Sequence, residues 1–390
     1  MTETRTAKLR RLWLNVHLWI GVGLAALLIP ISLSGGLLVW HDQVDALINP
    51  QRYAVTGAQV ALQPSNYLAK ASEALASEAV AKDAGNLRPS GLRYPQPGWP
   101  VQVMARAQQR EGGSRPRFVT VFLDPPTGAV LDVMEFRSSF IGFLHVFHEN
   151  LMLPQYSGRQ IVGLAGAGLL VLSLTGIWLW WPRNGGFLRG LRWTRSSRFT
   201  FNLHHLLGFW IALPLAAVSF TGIYLAFPQT ARSIMSSVAT MNPQGPRGFG
   251  DVASNLALTA DRALEIARRA EPDAKPLTLF LPAQQRGDGA LVWRVQMSRP
   301  GGDAVTVAID DRSGHAADTI VPQSGDRAAA WMRWVHEGSR GGPVWAVIVF
   351  LTGLFPTIFA ATGTIMWLRK RAGRKAFESK SGTAQLRPAE

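Results

Sequence analysis

Four of the eight histidines form two matched pairs whose spacing suits the binding of a metal group. His17 and His204 are 187 positions apart, and each lies in an Asn-x-His-x-x-x-Gly pattern at the start of an apolar run. His148 and His336 are 188 positions apart, and each is followed by glutamate and precedes another apolar run. Imidazole is the commonest side-chain metal ligand, and ionisable groups in membrane helices are costly and usually functional. The spacing therefore predicts two sites, each with two histidine ligands.

Haem is the group that best matches these pairs. The chain has no cysteine, which excludes disulfides, cysteine-ligated zinc, iron–sulfur clusters and the covalent attachment of c-type haem. Histidine is a usual axial ligand of haem iron, and bundle interiors commonly hold such cofactors. We therefore expect two non-covalent b-type haems, one held by His17 and His204 and one by His148 and His336. A histidine that only presents a polar edge to lipid headgroups is the alternative for any one of the four, but it does not explain two matched pairs.

Three other histidines stay open as accessory groups. His145 lies three residues before His148, shares its helix face and is the second choice as ligand. His205 follows His204 but is turned by about 100° on a helix, so we do not expect it to bind the same iron. His41 is a candidate to cap a helix, to titrate or to contact the nearer haem.

Four apolar segments must position these histidines. Each is about 20 residues or longer, which is enough to cross a hydrocarbon core of about 30 Å as a helix. The basic flank of the first segment resembles that of a signal peptide, but its apolar part is too long and no A-x-A cleavage site follows, so we expect an uncleaved helix. Glycines recur in the segments (Gly21, Gly23, Gly35, Gly36, Gly163, Gly166 and Gly168). They make room for a flat macrocycle or allow close helix packing, and the sequence leaves both readings open.

Positive charge is concentrated at one set of helix ends. The chain carries 40 Lys and Arg against 25 Asp and Glu, a net charge of +15, and basic clusters lie in residues 1–16, 183–200 and 369–390. Such clusters mark the cytoplasmic side of membrane helices. We therefore expect a multi-pass membrane protein with both termini cytoplasmic. Because the basic residues lie next to the apolar segments, we expect them to contact membrane lipid and not nucleic acid.

Two polar stretches between the helices each read as an amphipathic helix followed by short strands and a tight turn. The predicted helices are 66–82 and 259–270; the predicted strands are 101–105, 117–123, 129–133, 278–281, 291–297 and 304–309. The predicted order is a basic lead 1–16, transmembrane helix 17–41, periplasmic α+β unit 42–137, interfacial helix and turn 138–158, transmembrane helix 159–182, basic cytoplasmic loop 183–200, transmembrane helix 201–227, periplasmic α+β unit 228–327, interfacial helix 328–342, transmembrane helix 343–368 and cytoplasmic tail 369–390.

The two halves of the chain repeat one another. Besides the histidines, Thr175-Gly176 recurs as Thr362-Gly363, and the turn at 124–128 recurs at 310–314, at offsets of 187 and 186. One such match is explained by chance, but a series is not. We therefore predict a tandem internal duplication, and because each half crosses the membrane twice, the halves have the same orientation.

These features together resemble the PepSY-associated transmembrane family. The resemblance is carried by the His-x-x-x-Gly helices, by the α+β units that close on Asp-x-x-Thr/Ser-Gly and by the histidine before the next span, and it covers nearly the entire chain. Within this family, the chain is similar in length and layout to the four-span FoxB-type ferric-siderophore reductases of bacterial inner membranes. The resemblance implies two PepSY-like periplasmic units on four transmembrane helices, with haem b ligated by His17 and His204 inside and by His148 and His336 outside.

The activity that this resemblance implies is transmembrane electron transfer that reduces a ferric siderophore at the periplasmic face and releases Fe(II). No Gly-x-Gly-x-x-Gly pattern follows a strand, so the electrons must come from a separate cytoplasmic donor or a quinol. One alternative is a peptide-binding or protease-regulating membrane protein, which leaves the paired histidines unexplained. Another is a siderophore uptake permease, which predicts polar residues in the middle of the spans, where 24–29 and 169–174 offer almost none.

Overall fold

The computed structural model describes residues 5–77, 87–107, 117–182, 188, 191–192, 196–243, 252–283, 290–302 and 304–384. The predicted helix end at 78–82 and parts of the predicted loop 183–200 lie outside these residues. The chain divides into two compact units. The helical unit comprises Met1–Trp40, Leu144–Ser233 and Ala329–Glu390, and the sheet unit comprises His41–Phe143 and Ile234–Ala328.

The helices agree with the apolar pattern of the sequence. In chain order they are α1 (Arg5–Leu38), α2 (His41–Ile48), α3 (Pro64–Ala76), α4 (Phe140–Asn150), α5 (Gly158–Trp180), α6 (Phe199–Ala226), α7 (Pro228–Val238), α8 (Ala260–Ala270), α9 (Ser324–Glu337) and α10 (Gly342–Ala384). Within the described residues, α1, α5, α6 and α10 are long and apolar enough to cross a membrane. The four predicted spans are therefore confirmed as helices. Both α1 and α10 extend beyond their apolar runs into basic sequence.

The four long helices of the helical unit form a closed bundle. Helix α1 contacts α5 and α10, and α6 contacts the same two helices. Consequently α1 and α6 are diagonal neighbours across the bundle, as are α5 and α10. A side chain on the inner face of α1 therefore faces α6, although 187 residues separate equivalent positions of the two helices.

Close helix packing explains part of the glycine content. A Cβ built on Gly353 would lie 2.6 Å from the Cα of Gly36, so the backbones of α1 and α10 touch at this point. Small residues allow such contact between membrane helices. At Gly36 the structure therefore favours helix packing over room for a macrocycle.

The sheet unit contains one antiparallel sheet of eight strands. Its strands are β1 (Leu87–Arg93), β2 (Val101–Ala107), β3 (Phe118–Leu123), β4 (Val130–Glu135), β5 (Lys275–Phe280), β6 (Val292–Ser298), β7 (Ala304–Asp310) and β8 (Ala316–Ile320), and their spatial order is β4-β3-β2-β1-β5-β6-β7-β8. Alternate residues of β6 are buried, among them Trp293, Val295 and Met297. This alternation is typical of a sheet with one face on the core.

The two polar stretches of the sequence meet in the middle of this sheet. Strand β1 pairs with β5 through Gly91↔Phe280 and Leu92↔Leu279, so both stretches contribute to a single sheet. The sequence did not predict β1, because Pro89 and Gly91 are unfavourable inside a strand. The pairing of β1 with β2 shifts register between these two residues, and this irregularity accommodates them. The sequence also missed β8, whose exposed first residues carry little apolar pattern.

Helices α3 and α8 pack on this sheet and on each other. The N-cap of α8 is Thr259, whose side chain accepts a hydrogen bond from the Arg262 backbone N–H, as is usual for a threonine in this position. The Asp261 carboxylate of α8 accepts a hydrogen bond of 2.8 Å from the backbone N–H of Ser65 at the start of α3. The predicted helix at 259–270 is confirmed within one residue of its start.

Each half of the sheet contains a buried carboxylate beside its turn. Asp124 accepts hydrogen bonds from the backbone N–H and the hydroxyl of Thr56, both 2.7 Å long, and from the hydroxyl of Thr127 at 2.6 Å. Asp311 accepts from Trp293 Nε1 at 2.8 Å and from the backbone N–H of Ala257 at 2.8 Å. Through these hydrogen bonds, the two carboxylates connect the loops at Thr56 and Ala257 to the ends of strands β3 and β7.

Candidate functional site

The structure places His17 and His204 next to each other inside the helical unit. His17 lies on α1 and His204 on α6, the diagonal pair of helices. Their ring centroids are 6.4 Å apart, and the ring planes are inclined by 79°. The two residues that the repeat predicts as one ligand pair are therefore brought together.

A threonine on a neighbouring helix orients each of these rings. His17 Nδ1 is 2.9 Å from the Thr175 hydroxyl, and His204 Nδ1 is 2.9 Å from the Thr362 hydroxyl. Each threonine donates its own hydrogen to a carbonyl of the preceding helical turn, at 2.7 Å. The hydroxyl oxygen therefore accepts from Nδ1–H. This arrangement leaves Nε2 of both rings unprotonated in the neutral imidazole.

His148 and His336 form the second pair, near the opposite ends of α1 and α6. His148 lies on α4 and His336 on α9, and their ring centroids are 6.1 Å apart. His148 Nδ1 donates to the backbone carbonyl of Ile31 at 2.9 Å, and His336 Nδ1 donates to that of Val218 at 3.0 Å. A carbonyl can only accept, so these rings also keep Nε2 as the available nitrogen.

Two glycines allow the rings of this second pair to lie close to the backbones of α1 and α6. A Cβ built on Gly35 would lie 2.5 Å from His148 Cε1, and one built on Gly222 would lie 2.8 Å from His336 Cε1. A methyl group at either glycine would therefore force the adjacent imidazole to move. These glycines belong to the Ser34-Gly35 and Thr221-Gly222 dipeptides, so their sequence signal is the recurrence of Ser/Thr-Gly in the apolar runs.

Burial keeps the second pair neutral. It lowers the pKa of His148 to about 4, helped by the positive charge that His336 would bring nearby. Burial lowers the pKa of His336 as well. Because a protonated imidazole cannot bind a metal, a depressed pKa favours the ligand form at neutral pH.

The centroid separations of both pairs, 6.4 Å and 6.1 Å, would allow the two imidazoles of each pair to bind one metal ion. Since metal–imidazole bonds are about 2.0–2.1 Å long, such rings have centroids about 6 Å apart. Metal-ligating histidines usually donate their other N–H to a fixed acceptor, as all four do here. In the described residues no three His, Cys, Asp or Glu side chains are grouped as a metal site, so each pair offers two protein ligands. A group that brings its own equatorial ligands, as haem does, suits this donor set.

The remaining histidines lie in other surroundings. His205 is stacked on Phe201, with centroids 5.5 Å apart, and on Trp180, with centroids 5.9 Å apart. His145 is exposed, whereas His148 faces His336. His41 belongs to the sheet unit, where its Nε2 is 3.2 Å from the Asp42 carboxylate.

The fold and the histidine pairs indicate a multi-pass membrane protein with four membrane helices and one α+β sheet unit. A model of one family, described as the PepSY-associated TM region, matches residues 14–370. The chain therefore belongs to the PepSY-associated transmembrane family. A search of curated proteins found no match to this chain.

Proposed function

We propose that this protein transfers electrons across a bacterial inner membrane through two b-type haems and reduces ferric siderophores at the periplasmic face. The observation that carries the proposal is the pair of matched imidazole sets, with centroids 6.4 Å and 6.1 Å apart and every Nδ1 hydrogen-bonded. A haem iron held by two imidazoles supplies one-electron transfer between Fe(III) and Fe(II). With two histidines of this chain holding the group, it would serve electron transfer and not the binding of a small molecule.

The depth of the two pairs supports transfer across the membrane. The carbonyl of Ile31 accepts the hydrogen bond from His148, and Ile31 follows His17 by 14 residues on α1. In the same way, the carbonyl of Val218 accepts the hydrogen bond from His336, and Val218 follows His204 by 14 residues on α6. At 1.5 Å per residue, the two pairs are therefore about 20 Å apart along the helices. That is a large part of the hydrocarbon core, which is about 30 Å thick.

The proposal includes a tandem duplication that produced two PepSY-like periplasmic units. It is supported by equal geometry in both halves, because His17 and Thr175, and likewise His204 and Thr362, are 158 residues apart. Each hydrogen bond lies within a half, whereas each histidine pair joins the halves. Both termini, with their basic residues, would then be cytoplasmic.

Ferric siderophores suit the proposed chemistry as substrates. Fe(III) is a hard ion that oxygen donors hold tightly, and Fe(II) is held much less tightly by the same donors. One electron delivered to the ferric siderophore therefore yields Fe(II) and the free siderophore. The electrons would come from a separate cytoplasmic donor or a quinol.

The test begins with the absorption spectrum and the haem content of the purified protein. We expect two low-spin b-type haems per chain. His17→Ala or His204→Ala should remove or convert one haem, and His148→Ala or His336→Ala the other, whereas His145→Ala should change neither. Four single variants that keep the wild-type spectrum and haem content would disprove the ligand assignment.

The reaction is tested with chemically reduced protein in the absence of oxygen. A ferric siderophore should reoxidise it, and a chelator should trap Fe(II) in step with haem oxidation. The iron-free and gallium-loaded siderophores are the controls and should leave the protein reduced. A haem protein that stays reduced with several ferric siderophores would point to another electron acceptor.

A further inference from the structure

A pocket of about 310 Å³ lies in the helical unit between α5, α6 and α9. Its polar and aromatic lining consists of Arg159, Tyr224, Arg333 and Trp334. Arg333 precedes His336 by three residues, which is about one turn of α9. The pocket is therefore next to the helical segment that carries one ligand of the second histidine pair.

The lining of the pocket is positively charged. Arg159 donates one hydrogen bond to the Leu225 carbonyl at 2.8 Å, and Arg333 donates one to Glu337 at 2.9 Å. A guanidinium has five N–H groups, so each arginine has donors beyond these bonds. Among the described residues that line the pocket none is acidic. Glu337, beside the pocket, offsets only part of the charge.

An aromatic wall completes the pocket. The guanidinium of Arg340 lies 3.8 Å from the centroid of the Trp334 ring and adds a further positive charge there. Tyr224 is two residues after Gly222, the glycine that seats His336. Aromatic rings of this kind offer an apolar face together with a polar edge.

Several residues that line the pocket differ from their counterparts in the other half of the chain, although the paired histidines occur in both halves. At the offset of the second histidine pair, Arg333 corresponds to His145 and Trp334 to Val146, and at the offset of the first pair Tyr224 corresponds to Leu37. The histidines, their acceptors and their glycines occur in both halves, whereas Tyr224, Arg333 and Trp334 of the second half have no such counterparts in the first, and Arg159 is contributed by the first half. These three residues are therefore not required for holding the imidazoles, and they call for a separate role.

We propose that this pocket binds an anionic ferric chelate through its carboxylates, beside the second histidine pair. The proposal rests on the proposed ferric reduction, and it names the charge class of the substrate. Arginine pairs with carboxylates through strong, often bidentate, charge-assisted hydrogen bonds. The volume is at the low end of the range for small-molecule sites, about 300–1,000 Å³. The pocket therefore accommodates a small chelate such as ferric citrate, or one carboxylate arm of a larger siderophore.

The test measures binding of gallium citrate to the full-length protein in nanodiscs of phosphatidylcholine. Gallium does not change its oxidation state here, so binding is measured apart from electron transfer. We expect Arg159→Gln and Arg333→Gln each to weaken binding by about 10-fold, as for the loss of a charged hydrogen bond. Glu337→Gln should strengthen binding several-fold, because it removes the carboxylate that competes for Arg333. Arg137→Gln, at an exposed arginine outside the pocket, is the matched control and should bind as wild type.

A second probe separates charge recognition from general binding. The gallium complex of a hydroxamate siderophore without carboxylates should not respond to either arginine substitution. An unchanged haem spectrum shows that the variants are folded. Failure of the wild type to bind gallium citrate, or equal binding by the double arginine variant, would overturn the proposal. Wild-type protein that binds gallium citrate through these arginines but reduces neither ferric citrate nor several ferric siderophores would contradict the proposed function and leave the pocket assignment intact.

Discussion

The ring of His148 lies directly against Gly35, so that a Cβ on the glycine would be 2.5 Å from Cε1 of the imidazole. Gly35 is in α1 and His148 in α4. The same relationship joins Gly222 to His336. The position of each imidazole in the second pair therefore depends on the absence of a side chain on the adjacent helix.

We predict that Gly35→Ala or Gly222→Ala displaces one imidazole and removes the haem of the second pair or makes it high-spin. The first pair should keep its low-spin haem. Absorption and electron paramagnetic resonance spectra check both. Gly23→Ala in α1 and Gly208→Ala in α6 are the matched controls, because a Cβ at either position meets nothing within 4 Å. Identical spectra for Gly35→Ala and Gly23→Ala would contradict the seating role.

Thr175 should act as a positioning residue for His17. In Thr175→Val the methyl groups fill the space, but Nδ1 loses its acceptor at 2.9 Å. Loss of such an outer hydrogen bond typically weakens metal binding by about 10–100-fold. We expect faster haem loss from the first pair and a shifted midpoint potential for that haem only. Thr175→Ser retains the hydroxyl and should restore both properties; a serine variant that behaves as valine would show that packing, and not the hydrogen bond, matters.

Periodicity in the sequence reveals part of this site and cannot reveal the rest. The 187-residue repeat identifies His17 and His204 as equivalent, because both are marked by the same local pattern. Their acceptors, Thr175 and Thr362, are visible only as repeated Thr-Gly dipeptides. Their role depends on α1 contacting α5 and α6 contacting α10, which no local pattern encodes.

The sequence likewise predicts only part of the sheet. Alternation and turn residues predict the inner strands of each half, since each buries one face. The central pairing of β1 with β5 is not predictable in this way, because Pro89 and Gly91 hide β1 and because the pairing joins segments far apart in sequence. The sequence therefore predicts two units, and the structure forms one sheet from them.

Asp124 should make the stability of the sheet unit depend on pH in acid. Burial alone would raise the pKa of Asp124, but the hydrogen bonds from Thr127 and Thr56 outweigh it and lower the pKa below its ordinary value. A depressed pKa contributes stability that is present above the unfolded pKa, about 3.9, and is lost as pH falls through the folded pKa. We expect the protection of β3 and its neighbours against hydrogen exchange, relative to the intrinsic exchange rate at each pH, to fall below about pH 4.

The substitution Asp124→Asn tests the same carboxylate at neutral pH. We expect a loss of about 1–3 kcal/mol of local stability, because the buried donors of Thr56 lose a charged acceptor. Part of the pH dependence should disappear with it. Asp318→Asn, at an exposed aspartate of β8, is the control and should have little effect. Equal hydrogen exchange in both variants would show that Asp124 is not important for the fold.

Cross-membrane electron transfer should require both histidine pairs. In the proposed function a hydrocarbon core of about 30 Å separates the donor from the acceptor, and the two pairs, about 20 Å apart along α1 and α6, would divide this distance. We predict that oriented vesicles with dithionite on the side of His17 and His204 reduce a ferric siderophore on the other side, where an impermeant chelator traps Fe(II). With His17→Ala or His204→Ala, Fe(II) production should fall to the level of empty vesicles.

The matched control for these variants places dithionite and the ferric siderophore on the same side, next to His148 and His336. Reduction coupled to the second haem should then survive loss of the first pair, because the electron no longer has to cross the bilayer. A loss of both reactions would indicate that the variant protein is damaged as a whole. Continued cross-membrane reduction without the first pair would mean that the electron reaches His148 and His336 by another route, and the two-haem path would be wrong.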